Sequence, residues 1–251
     1  MDTHNLIESL FRWIHVVAGI LWIGLLYFFN FVNANFAPTM DGETKKKVVP
    51  QLMPRALFFF RWGAAYTWVS GVLLLFLLYY HGAYLFDSGQ SFGIGGWISV
   101  AITFLGVHVY DLVMKSIKDP KQQAAVGFVL ASAAAIVFEK VGQFSYRGTT
   151  IHLGSMLGTI MAFNVWFRIW PSQKKIITAV RDGQKPEDGW VSLAGTRSKH
   201  NTYMSVPLVF AMMSQHATWA SGKIWALPMV ILLSWIVTFA IFNKAKTVQG
   251  F

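Results

Sequence analysis

Repeated apolar stretches of about twenty residues, separated by basic loops, leave this chain few folds to choose from. At 1.5 Å per residue, a helix of that length crosses the roughly 30 Å hydrocarbon core of a bilayer. The pattern predicts seven spans, at 9–32, 57–80, 96–114, 123–139, 150–170, 203–220 and 224–242. The chain is 55% hydrophobic and only 13% charged, whereas a soluble domain usually carries about 25% charged residues. A soluble globular enzyme and a disordered chain are therefore excluded. A porin-like barrel is excluded too, because its strands would alternate polar and apolar residues. The expected fold is an all-α integral membrane protein, a single polytopic domain over residues 1–251.

The net charge of +10 is arranged for topology rather than for nucleic acid. Fifteen lysines and arginines lie in the loops after spans one, three and five and in the C-terminal tail: Lys45, Lys46, Lys47, Arg55, Lys115, Lys118, Lys121, Lys174, Lys175, Arg181, Lys185, Arg197, Lys199, Lys244 and Lys246. The opposite loops hold three, Lys140, Arg147 and Lys223. By the positive-inside rule the N-terminus faces outward and the C-terminus the cytoplasm, with the basic loops close to lipid headgroups. Span one is interrupted by Arg12 and His15 and lacks a small-residue cleavage site, so it stays as a helix. The segment 171–202, which contains DGQKPEDG, is expected to be a polar cytoplasmic loop without a core of its own.

Zero cysteines exclude thiolate-held clusters, thioether-attached haem and disulfides, so any metal or haem must hang on histidine, methionine or carboxylate. Five of the seven histidines fall in or at the ends of spans, where polar groups are costly and therefore informative. His15, His152 and His216 come to similar depths, about 9, 5 and 6 Å below the outer surface. His81 closes span two on the same side. Arg12, His15, Gly19 and Trp22 share one helical stripe, and Gly19 would leave room for a flat macrocycle. Gly154 and Gly158 form a GxxxG pair for a neighbouring helix, on a different face from His152. The arrangement points to haem b held by two of His15, His152 and His216, with Arg12 on a propionate. Its rivals are histidines merely hydrogen-bonded within the helix bundle and a histidine-only copper or zinc centre.

A second polar group lies toward the cytoplasm: His108 and Asp111, Arg61, Asn164 with Arg168, and His200 with Asn201. It reads either as an anion or substrate pocket, or second cofactor site, or as an ion pair with snorkelling arginines at the inner interface.

The stretches RWIHVVAGILWIGLLYFFNF, PRALFFFRWGAAYTW, HLGSMLGTIMAFNVWFRIWPSQKK and KHNTYMSVPLVFAMMSQH resemble the membrane domain of bacterial urate oxidases of the membrane-bound, cytochrome-linked type. The similarity runs over nearly the whole chain and places His15, His152, His200, Asn201 and His216 on motif positions. The resemblance implies a bacterial inner-membrane oxidoreductase that converts urate to 5-hydroxyisourate and passes electrons to the respiratory chain. In that family a c-type cytochrome domain typically follows the membrane domain. With no cysteine, this chain would depend on a separate cytochrome c or respiratory complex. Urate is a flat anion, so the resemblance implies substrate contacts from Arg61, Asn164, Arg168 and Asn201, with His200 taking a proton as the catalytic base. An electron carrier without substrate chemistry, a cofactor-free accessory subunit and a transporter are the readings from other classes.

Overall fold

The computed structural model describes residues 3–82 and 84–250, apart from the side chains of His216 and Thr218. These residues form helices and connecting turns, with no strand among them. Helix α1 (Thr3–Tyr27) runs through a π-helical turn, Phe28–Asn33, into short helical turns that end at Thr39. Helix α2 (Gly42–Leu74) continues into a second π-helical turn, Leu75–His81. Helices α3 (Ile94–Ser116) and α4 (Pro120–Lys140) follow. Helix α5 (Tyr146–Asn164) passes through a third π-helical turn, Val165–Ile169, into α6 (Trp170–Arg181). Helix α7 (Asp188–Met213) and α8 (Ala226–Ala245) complete the order.

Two stretches expected to be irregular are helical. Helix α2 begins at Gly42, well before the expected span at 57, and passes through Pro50 and Pro54. Its first turns are polar and basic, so apolarity could not mark them. Asp41 starts the helix: its carboxylate accepts from the Thr44 backbone N–H at 2.9 Å and the Thr44 hydroxyl at 2.7 Å. Those bonds hold the Asp41 carboxyl below its usual range. The expected loop 171–202 is also mostly helix. Pro171 suits the first turn of α6, where its missing N–H costs nothing, and Ser172, Ile177 and Ala179 are buried. Only residues 182–187 break the helical path before α7.

Five helical stretches among the described residues are long and apolar enough to cross a membrane: Thr3–Thr39, Gly42–His81, Ile94–Ser116, Pro120–Lys140 and Ala226–Ala245. Helices α5 and α7 are missing from that group for a physical reason. They carry Thr149, Thr150, His152, Asn164, Arg197, Asn201, Thr202 and Ser205, every one of them buried. The apolar helices do the reverse and expose large side chains, including Trp13 and Ile20 of α1, both 69% exposed, and Leu232, Leu233 and Ile236 of α8. A protein folded by water would bury these groups.

The contacts gather into two compact units. One comprises Met1–Glu8, Gly71–Ile160 and Ser205–Ile236. Within it, Gln123 Nε2 donates to the carbonyls of Met114, at 3.1 Å, and Ile117, at 2.8 Å, closing the turn between α3 and α4. Gly154 and Gly158 of α5 let α7 approach: a Cβ on Gly154 would meet Ala211 Cβ at 3.3 Å, and one on Gly158 would meet Leu208 at 3.5 Å. The other unit comprises Ser9–Ser70, Met161–Met204 and Val237–Phe251. In it, Trp22, Leu26 and Phe60 are almost fully buried. A Cβ on Gly63 would lie 3.3 Å from both the Ala18 carbonyl oxygen and the Trp22 backbone nitrogen. Glycine at 63 is what lets α1 and α2 meet backbone to backbone.

Candidate functional site

The first polar constellation, in the second unit, sits on α5 and α7. Asn164 is the last residue of α5, just before the third π-helical turn, and Asn201 lies midway along α7. Both are fully buried. Asn164 Nδ2 donates to Asn201 Oδ1 at 2.9 Å, and Asn201 Nδ2 donates to the Met161 carbonyl at 2.9 Å. The amides thus lock the two helices in one register. One helical turn before Asn201 stands Arg197, only 2% exposed, and its positive charge acts on the half-buried His200. Nearby on the same helix, Ser198 Oγ accepts from Asn30 Nδ2 at 2.8 Å, and Asn30 lies in the first π-helical turn. One wide turn thus carries an amide of this seam and another begins directly after Asn164; such turns are frequent at functional sites.

Arg197 is the residue that sequence reading misplaced. A span beginning at 203 leaves it among the loop charges, whereas α7 already includes it. Carrying the helical period back from Thr202 and Asn201 would have put it on a buried face.

The other expected substrate residues are differently placed. The Arg61 guanidinium carbon lies 3.9 Å from the Trp170 ring centroid and 5.8 Å from those of Trp166 and Phe58. Trp166 Nε1 donates to the Arg61 carbonyl at 3.1 Å. Arg61 is thereby held on aromatic faces, an attraction of about 0.5–2 kcal/mol. Arg168 donates to the Phe167 carbonyl at 2.9 Å and lies over Phe163. His108 is exposed, and the buried Asp111 pairs with Lys115 at 2.8 Å in the other unit, so this part of the inner group is a lysine pair on α3.

The expected outer histidines fall in different units. His15, in the second unit, is half-buried on α1, and its Nδ1–H donates to the Thr67 carbonyl at 2.9 Å, with Ser70 Oγ at 3.2 Å. Gly19 does not open a slot beside it, because a Cβ there would meet Thr67 Cγ2 at 3.8 Å. Arg12 is exposed. The side chain of His216 lies outside the described residues; its backbone ends the short turn Ser214–His216.

His152, in the first unit, is fully buried on α5. Its Nδ1 is 2.7 Å from the Gly148 carbonyl and its Nε2 is 2.7 Å from the Tyr80 hydroxyl. A carbonyl can only accept, so Nδ1 carries the proton, and in the neutral ring Nε2 accepts from Tyr80. The ring is flanked by Phe144, with centroids 4.4 Å apart, and by Phe138 at 5.8 Å. A cavity of about 160 Å³ lies beyond Phe144, also walled by Asp87, Glu139, Tyr146, Thr149 and Lys223; none of its lining residues is a histidine.

A b-type haem needs a histidine with a free lone pair and an open face. His152 offers neither as folded, and does not fit as a haem ligand. Among the described residues no three of His, Cys, Asp or Glu come together as a metal site.

The fold and these seams define a helical protein with apolar helices long enough to cross a membrane and polar groups buried where helices pack. The family described as urate oxidase N-terminal matches residues 42–250. The chain belongs to that family. No curated protein and no solved structure matches it.

Proposed function

We propose that the chain is the multi-pass membrane part of a urate-oxidising system, with a purine site at the Asn164–Asn201 seam and electrons passed to a cytochrome c or respiratory complex. The observation that carries this reading is a guanidinium and two amides, Arg197, Asn164 and Asn201, each buried, on α5 and α7 of a family member with five other helical stretches apolar enough to cross a membrane. A flat purine anion calls for charge-assisted bonds from a guanidinium and orientation by amides. Of the three arginines Arg197 is the one almost fully buried, at 2% exposed, while Arg61 is held against aromatic rings and Arg168 donates to the Phe167 carbonyl. Urate and one water give 5-hydroxyisourate, two protons and two electrons. His200, whose charge state Arg197 influences, is the candidate base for one of those protons.

In this reading α5 and α7 cross the bilayer with the five apolar helices, making seven crossings in the inner membrane. Their polar groups are affordable there because they face one another. The basic loops put the C-terminus in the cytoplasm, where purine catabolites arise.

The test is urate-dependent reduction of added cytochrome c by membranes carrying the protein. Wild type should reduce it, and His200→Ala and Asn201→Ala should lower the rate by at least about tenfold, the loss of roughly 1.4 kcal/mol of transition-state stabilisation. Equal rates in wild type and both variants would move the seam to a structural role and favour an accessory subunit.

A further inference from the structure

The pair of half-buried Tyr80 and fully buried His152 is unused by the proposed purine site. We infer that it is a proton-coupled electron relay: Tyr80 gives up one electron as its phenolic proton passes to His152 Nε2. The geometry supplies what such a step needs. The proton donor and acceptor are 2.7 Å apart. The acceptor lone pair is fixed by the Nδ1–H bond to the Gly148 carbonyl, also 2.7 Å, so the ring is held in the tautomer able to receive. Phe138 and Phe144 flank the imidazole, and His152 is fully buried, so the ring that receives the proton is walled by apolar groups.

Tyr80 lies in the second π-helical turn, which sets its angle around α2 and its reach toward α5. From its ring the aromatic contacts run outward. Phe92 lies 5.8 Å from Tyr80 and Trp97 lies 5.1 Å from Phe92, centroid to centroid. Trp97 is 66% exposed. The chain of rings links the Tyr80 phenol to a surface indole where an acceptor can dock.

The step balances. Tyrosine and neutral imidazole become a neutral tyrosyl radical and an imidazolium, and the electron reduces a one-electron ferric acceptor of the cytochrome class. When an electron arrives from the donor side, the proton returns from Nε2 to the phenol oxygen. No charge is left bare on the tyrosine at either stage, which matters in a low-dielectric interior. The inference rests on the redox reading above only for the direction of electron flow.

Its test needs no urate, so the two can fail separately. The purified protein in lipid nanodiscs is oxidised with photogenerated tris(bipyridine)ruthenium(III) and frozen for electron paramagnetic resonance. Wild type should give a tyrosyl signal that narrows when the protein is made with ring-deuterated tyrosine. Tyr80→Phe, which removes only the hydroxyl, should abolish it while the protein stays folded. His152→Gln, which retains an acceptor oxygen but no basic nitrogen, should also lose it. A wild-type signal from tryptophan alone, or an undiminished tyrosyl signal in Tyr80→Phe, would overturn the relay. A purely structural hydrogen bond would show itself as a lowered Tm in Tyr80→Phe with the radical unchanged.

Discussion

Asn201 holds two bonds with one side chain, accepting from Asn164 and donating to the Met161 carbonyl. Asn201→Ala removes both and leaves a buried carbonyl without that donor, a loss of about 1–3 kcal/mol that a thermal melt in detergent will register as a lowered Tm. Asn201→Asp should cost at least as much. Its second oxygen would face the Met161 carbonyl, setting two acceptors against each other where an amide had donated. A melt of Asn201→Asp equal to wild type would show that the seam tolerates a repelled oxygen and that the amide is not what locks the helices. The same residue shows why single positions are hard to read from a sequence. Asn201 was legible as a polar residue at the start of a span, but its partner across thirty-seven residues of chain was not. Tyr80 was less legible still: in LFLLYYH a tyrosine at the end of an apolar run looks like an interface residue, and only the facing α5 shows that its hydroxyl is spent on His152.

Among the helices, the α1–α2 contact has the least slack. A Cβ at Gly63 meets backbone atoms of Ala18 and Trp22 rather than the ends of flexible side chains, so neither neighbour can turn aside. Gly63→Val should push α1 off α2 and cost about 1–3 kcal/mol as an overpacked site, measured as a drop in Tm; Gly24→Ala, where a Cβ meets nothing within 4 Å, should leave the melt unchanged. An unaltered Gly63→Val melt would mean that the two helices do not pack as described. Apolar periodicity found the helices whose outsides are greasy, because exposure of leucine, isoleucine and tryptophan is itself the pattern. It failed where a helix runs through polar residues, as at the start of α2 and over α6 and the front of α7, and there it assigned loop. That one boundary error also hid Arg197, since a charge read as loop is not examined for burial. Gly154 and Gly158 were legible as a packing pair because the four-residue spacing is enough, and the structure seats them against Ala211 and Leu208 of α7.

For the molecule as a whole, the proposed seven crossings make one decisive statement about sides. A phosphatase or fluorescent reporter fused after Phe251 should report a cytoplasmic C-terminus, following a bias of basic residues that stays at fourteen against three once the buried Arg197 is set aside. A periplasmic signal would mean that one of α5 and α7 does not cross, and the purine seam would then lack a membrane to sit in. The distribution of burial has a further thermodynamic consequence. Soluble domains gain about 12–15 cal/mol/K of heat capacity per residue on unfolding, because apolar groups meet water. Here many large apolar side chains already stand outside, and pulling the helices apart within lipid would expose the buried apolar groups to acyl chains rather than to water, along with threonine, asparagine and arginine. Helix separation should therefore carry little heat-capacity change, its free energy should run nearly straight with temperature, and cooling should bring none of the weakening that the hydrophobic effect imposes on proteins folded by water.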